Sequence, residues 1–164
     1  MRTKLIFFIF ILFSGIGFAQ ISTTRMNELK IGMRPADVLK MLGKKPAAIV
    51  DNSEMNIKVN GIDYTIDIGN GYLSKTENDP YIRSIGTESN KIKTLSGLGI
   101  GSNLEELWKA YSGKYNFFLN KSENNFREFR IDDKDNCTML IFRLKNEIVI
   151  KIELNSYNPE EFTL

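Results

Sequence analysis

Residues 31–46 read Ile-Gly-Met-Arg-Pro-Ala-Asp-Val-Leu-Lys-Met-Leu-Gly-Lys-Lys-Pro, and residues 100–115 read Ile-Gly-Ser-Asn-Leu-Glu-Glu-Leu-Trp-Lys-Ala-Tyr-Ser-Gly-Lys-Tyr. Laying Ile31 on Ile100 also aligns Gly32 with Gly101, Pro35 with Leu104, Val38 with Leu107, Leu39 with Trp108 and Leu42 with Tyr111. Positions 35, 38, 39 and 42 follow i, i+3, i+4, i+7, as do 104, 107, 108 and 111, so each stretch predicts a short amphipathic helix with one buried stripe. Pro35 suits a first helical position, where its missing N–H would have had no partner. Ser102 and Asn103 are N-cap residues, with Glu105 and Glu106 each three residues beyond one of them, the spacing of a capping box. Gly43 and Gly113 stand where a left-handed residue stops a helix, and Pro46 reinforces the first stop.

Beyond each helix the pattern changes from helical to alternating. Ala47–Val50, Met55–Val59 and Ile62–Ile68 are expected strands, turned at Asp51-Asn52-Ser53 and Asn60-Gly61. In the third, Ile62, Tyr64, Ile66 and Ile68 share one face and Asp63, Thr65 and Asp67 the other, so this sheet has a dry and a wet side. After a polar loop from Gly69 to Pro80, Tyr81–Thr87 and Lys91–Leu95 continue as extended pieces, and a seam is expected near Glu88–Asn90. The second part runs as Tyr115–Leu119, Phe126–Ile131, Cys137–Leu144 and Ile148–Leu154. With Tyr115, Phe117, Phe129, Ile131, Leu140, Phe142, Ile148, Ile150 and Ile152 toward the helix, the residues Phe118, Phe126, Met139, Ile141 and Val149 point the other way, an apolar second face. The expected fold class is α+β: two tandem repeats, residues 20–88 and 89–156, each a short helix on its own antiparallel sheet of three to four strands, followed by a tail at 157–164.

The string Ile-Gly-Met-x-x-x-x-Val-x-x-x-Leu-Gly-x-x-Pro at 31–46 resembles the core motif of the SmpA/OmlA (BamE-like) family of bacterial outer-membrane assembly lipoproteins. Two tandem copies resemble the related β-lactamase-inhibitor-protein architecture. The resemblance implies an exported, non-enzymatic module that binds another protein. One departure is plain: those lipoproteins carry a lipidated cysteine just after the signal peptide, whereas here the single cysteine is Cys137, so the expected protein is not lipid-anchored.

Arg2 and Lys4 precede the apolar run Leu5–Phe13, and Gly17-Phe18-Ala19 places small residues where a signal peptidase reads, so residues 1–19 are expected to be a signal peptide cut before Gln20. Leu5–Ala19, interrupted by Ser14, Gly15 and Gly17, is short of the ~20 residues of a spanning helix, so no integral span is expected after cleavage. Of 22 Lys+Arg and 20 Asp+Glu, the first nineteen residues hold two basic and no acidic ones. The mature chain is therefore formally neutral, which removes the electrostatic argument for a nucleic-acid partner.

The sequence contains no histidine, which excludes Ser-His and Cys-His nucleophile pairs and His-containing metal sites, and one cysteine cannot build a thiolate zinc site. Gly97-Leu-Gly-Ile-Gly101 fails the phosphate-loop patterns, since the third glycine of G-x-G-x-x-G would fall at Ser102 and no Gly-Lys-Ser/Thr follows; the glycines are read as a tight turn onto the sheet. Asp132-Asp133-Lys134-Asp135-Asn136 lacks the EF-hand glutamate, whose position falls on Arg143 or Leu144, and is read as a hairpin turn. Glu105 and Glu106 point about 100° apart on a helix and cannot converge on one bond. Cys137 is expected to be buried, and Lys30, Arg34, Lys40, Lys44 and Lys45 to form a solvated face around the first helix.

These readings predict no catalytic residue, no metal and no cofactor. They point to an exported, periplasmic or secreted protein-binding module with an unidentified protein partner, docking on Phe118, Phe126, Met139, Ile141 and Val149 with the two phenylalanines as anchors. The alternative is a small-ligand carrier or hydrolase using Asp, Glu, Tyr or Ser in a groove between the repeats.

Overall fold

The computed structural model describes residues 21–43, 53–121 and 124–162. The expected signal peptide, the strand at 47–50, Lys44 and Lys45 lie outside the described residues.

A two-residue hairpin, β1 (Arg25–Met26) and β2 (Leu29–Lys30), opens the described chain. It is small but fully seated, for Met26 and Leu29 are both 0% exposed. Helix α1 (Pro35–Met41) follows, begun by Pro35 after an extended Arg34 and buried through Val38 and Leu39. Three antiparallel strands come next: β3 (Ser53–Val59), β4 (Ile62–Gly69) and β5 (Tyr81–Thr87). Asn60 and Gly61, both with positive φ, make the two-residue turn that joins β3 to β4. Helix α2 (Leu104–Tyr111) is closed at its start by a reciprocal cap. Asn103 Oδ1 accepts from Glu106 N–H at 2.9 Å, and Asn103 N–H donates to Glu106 Oε2 at 2.8 Å. Strands β6 (Phe117–Lys121), β7 (Phe126–Asp133), β8 (Thr138–Lys145) and β9 (Ile148–Ser156) complete the chain before a short 3₁₀ turn at Pro159–Phe162.

The strand pairing overturns the expected fold class. Rather than two helix-on-sheet repeats with separate sheets, all seven long strands form one antiparallel sheet in the order β3-β4-β5-β9-β8-β7-β6. The join is β5 against β9, with Ile85 opposite Leu154 and Thr87 opposite Ile152. Both strands are apolar on one face and end in open ladders, and an unpaired edge between them would leave backbone donors and acceptors without partners. One apolar row, Met55, Ile66, Ile85, Leu154, Leu140, Ile131 and Phe117, therefore crosses all seven strands, a width of ~29 Å at the usual inter-strand spacing. Val38 of α1 and Leu107 and Tyr111 of α2 belong to the same core cluster as this row. Both helices thus cover one face of the sheet, and among the described residues no α-helix lies on the other.

Each helix is tied to the sheet by the glycine-bearing segment before it. Gly32 N–H donates to Ile82 O, and Ile82 N–H donates to Met33 O. In the second half Gly101 N–H donates to Val149 O, and Val149 N–H donates to Ser102 O. The Gly97–Gly101 stretch is a turn, as expected. A Cβ on Gly99 would stand 2.9 Å from Ile92 O, so only glycine lets the chain pass there.

Local differences are instructive. Lys91–Leu95 forms turns and a bridge rather than a strand. Cys137 is not buried but half-exposed in the β7–β8 turn, at φ 52. That turn is held by Asp133, which accepts from Asn136 and, at 2.6 Å, from Thr23 Oγ1. Burial pushes the Asp133 carboxyl up, but these donors outweigh it and hold it below the usual range. Arg34 does not stand free in solvent: it reaches Asp79 at 2.8 Å and also donates to Asp79 O. The expected tail begins attached, with Tyr157 N–H donating to Cys137 O. No helix among the described residues is long and apolar enough to cross a membrane.

Because one cluster serves both halves, Ile85→Ala is expected to cost about 2–4 kcal/mol in a single cooperative urea transition. Two resolved transitions would show that the halves melt separately.

Candidate functional site

The uncovered face of the sheet is where the side chains opposite the core row stand. Across the strands that row reads Asn56, Thr65, Gly86, Glu153, Ile141, Arg130 and Phe118. Its β3–β5 half is small and polar, and its β6–β8 half is large, aromatic and charged.

An ion cluster occupies the middle. Arg143 Nε donates to Glu153 Oε2 at 2.5 Å, Arg143 Nη1 bonds Glu128, and Lys151 Nζ reaches Glu153 Oε1 at 2.7 Å. Burial pushes the Glu153 carboxyl up, yet hydrogen bonds from Lys151 and Arg143, reinforced by their charges, hold it below the ordinary range. Burial likewise disfavours the Arg143 cation, while Glu153 and Glu128 together raise its pKa. Toward β4 and β5, Arg83 forks onto Asp67 at 3.0 and 3.1 Å. Ser84 Oγ donates to Asn155 Oδ1 at 2.6 Å. These charges cancel locally.

Two aromatic positions flank the cluster. The Arg130 guanidinium lies 5.0 Å from the centroid of the Phe118 ring, and Lys145 Nζ lies 5.4 Å from that of Phe126. Phe118 is 60% exposed and Phe126 37%. Glu128 alternates between Arg130 and Phe126 along β7, so the two anchor rows are ~13 Å apart, four strand residues.

The five expected docking residues do not form one exposed patch. Phe118 and Phe126 are exposed on the open face. Met139 and Ile141 also point to that face but are buried, at 9% and 5% exposure. Ile141 has Arg130 and Glu153 as its cross-strand neighbours, whose long stems cover it. Val149 is turned inward and is 1% exposed. The cause is a register shift: Arg143 pairs with Lys151, but Leu144 pairs with Val149, so Ile150 is an extra residue in β9. A bulge reverses the inside-outside alternation on one side of it. Val149 joins Leu144 in the core, and Ile148, opposite Lys145, moves to the open face. Ile148 and Ile150 are 41% and 39% exposed. Both were expected to face the helix. Tyr115, expected in the core, is also exposed.

The groove imagined between repeats is instead a depression of about 660 Å³ on the open face, over Thr65, Ser84, Gly86 and Asn155 and bounded by Tyr72 and Tyr157. Of the carboxylates that line it, Asp67 is paired with Arg83, and Glu153 is held below its ordinary range by Lys151 and Arg143, which makes Glu153 a poor proton donor near neutral pH. Tyr64 and Tyr111, whose pKa values burial raises, lie in the core cluster and not in this depression. Among the described residues no group of three or more Cys, Asp or Glu is placed to hold a metal ion.

No family model matches the chain, and no curated protein matches it. A solved structure, that of the DUF4309 family protein YjgB from Bacillus subtilis subsp. subtilis str. 168, aligns with 84% of this chain and 85% of that chain at 14% identity, with a TM-score of 0.47.

Two outcomes are expected from this geometry. Val149→Ser should destabilise by about 2–4 kcal/mol and Ile148→Ser by ~0.5 kcal/mol or less, measured by chemical denaturation. Because the folded Glu153 carboxyl lies below its unfolded value of ~4.3, its contribution is complete above that pH and disappears as the pH falls through the folded value. Glu153→Gln should therefore lower stability at neutral pH by about 1–2 kcal/mol and flatten the acid limb of a stability-against-pH curve.

Proposed function

We propose that this protein is an exported, non-catalytic protein-binding module of the bacterial cell envelope, and that its partner rests on the helix-free face of the sheet. The observation that carries the reading is the exposure of Phe118, Phe126 and Ile148 around an ion cluster that neutralises itself. Exposed aromatic and aliphatic side chains gathered on one face are the composition of an interface centre. Phenylalanines presented on a sheet rather than a loop need little ordering on association.

The cluster between the anchors shapes the partner's chemistry. A net cationic face would favour nucleic acid or anionic lipid, whereas the pairs Arg143–Glu153, Arg143–Glu128, Lys151–Glu153 and Arg130–Asp132 leave little field to steer either. Pairs already formed can be covered together without stranding a lone charge. The complementary surface is therefore one that is itself near neutral and carries apolar side chains to fill the flanks of Phe118 and Phe126. The leader-like residues 1–19 and the SmpA/OmlA resemblance of residues 31–46 support an envelope setting.

The test is site-specific photo-crosslinking in intact cells. A crosslinker replacing Phe118 should give a discrete adduct with another protein, and one at Lys40 on the helical layer should not. Phe118→Ser with Phe126→Ser should abolish the association while shifting the unfolding midpoint little, since both side chains are exposed. Unchanged association in the folded double variant would refute the open face as the docking surface.

A further inference from the structure

The chain's single tryptophan is out of place for a core residue. Trp108 lies on the stripe that should bury it, yet it is 49% exposed. One side of the indole meets Phe117 edge-on, with centroids 4.9 Å apart and planes at 77°. Trp108 also bounds a recess of about 450 Å³ on the helical layer, lined by Asn103, Leu104, Glu105, Trp108 and Glu147. Leu104 and the indole supply apolar wall, and two carboxylates stand at the rim.

The rim is not electrically balanced. Glu147 is paired with Arg127 at 3.2 Å. Glu105, one helical turn before Trp108, makes no ion pair among the described residues. The recess therefore presents an aromatic surface and one uncompensated negative charge, a combination that favours a cation carried on an apolar stem. Glu147 adds a separate observation. It is the second residue of the Asn146–Glu147 turn, at φ 66, a place that glycine fills without strain. The structural duty there is a backbone one, since Glu147 O accepts from Leu104 N–H at 2.9 Å. Glycine would serve that duty equally, so the Glu147 carboxylate is not needed for the turn, and its contact within the chain is the pair with Arg127.

We propose that this recess binds the cationic side chain of a polypeptide, its aliphatic stem along Leu104 and Trp108 and its charge between the indole and the Glu105 and Glu147 carboxylates. The polypeptide source rests on the protein-binding reading above, but the cation chemistry does not. The recess is also remote from Phe118, whose side chain projects from the opposite face of the sheet to that of its neighbour Phe117. Failure here leaves the open-face reading standing, and the converse holds.

Because Trp108 is the only tryptophan, its fluorescence reports this site alone. Titration of the full protein with Nα-acetyl-lysine methylamide should give a saturable millimolar response, and the norleucine analogue, which keeps the stem and lacks the charge, should give none. Glu105→Gln should weaken the response about fivefold to tenfold. Glu147→Gly should weaken it as well while raising the unfolding midpoint, because strain is relieved as the carboxylate is lost. Equal responses to lysine and norleucine probes, or unaltered lysine binding in both folded variants, would overturn the proposal. n-Butylammonium, which is the lysine stem and charge alone, should respond much as the blocked lysine does, and a far weaker response would overturn the assignment to the side chain.

Discussion

The pairing of Ile85 with Leu154 joins two sets of strands that would otherwise each end in an open edge. Everything else in the arrangement follows from that join. Once β5 and β9 share a ladder, their apolar residues fall in one row, and the helices that cover that row must lie on the same side of the sheet. A single core results, with Thr87, 3% exposed at the seam, donating its hydroxyl to Asp63 O rather than leaving it unsatisfied. The other face is then free by construction of the topology. With both helices spent on one side, the second side is bordered among the described residues only by loop segments such as those that carry Tyr72 and Tyr157.

That second side is unequally furnished. In the β3–β5 half, apart from the Arg83–Asp67 fork, the cross-strand contacts are small or exposed, such as Thr65 with Asn56 and Lys58 with Asp63, and exposed pairs of this kind contribute little. In the β6–β9 half the contacts are larger and half-buried, and aromatic rings stand beside guanidinium and ammonium groups. Glu153 illustrates the difference, for its side chain is only 13% exposed and is reached by two cations. Such a cluster holds rotamers in place, so the rings beside it are presented to a partner with part of the ordering cost already met.

Much of this was readable in the chain, and the unreadable parts share a cause. The two helices are written locally, in the Pro35 start, the Asn103–Glu106 cap and the apolar spacing; the Asn60-Gly61 turn is equally local. Nothing local states that β5 must find β9, because the partners are distant in sequence and either strand could have closed its own sheet. The bulge was invisible for a different reason. Ile148, Val149 and Ile150 are all β-branched and apolar, so an inserted residue leaves the hydrophobic pattern intact, and the side chain that turns inward cannot be told from those that do not. For Phe118 and Phe126, the alternation of β6 and β7 was sufficient. For Met139 and Ile141 alternation gave the face correctly, but exposure depends on the length of the neighbouring side chains across the strands, which only the register supplies.

The bulge also couples the helical layer to the open face. Val149 is gripped on its outer edge by Gly101 N–H and Ser102 O, the segment that launches α2, and on its inner edge by Leu144. For its backbone to serve that segment while its side chain fills the core, β9 must take in one residue more than β8 offers, and Ile150 is that residue. Its insertion is what sets Ile148 beside Lys145 on the open side. The exposed aliphatic group across Lys145 from Phe126 is thus a geometric consequence of how α2 is fastened to the sheet. A change that loosened the Gly101–Val149 pairing would therefore disturb both layers together.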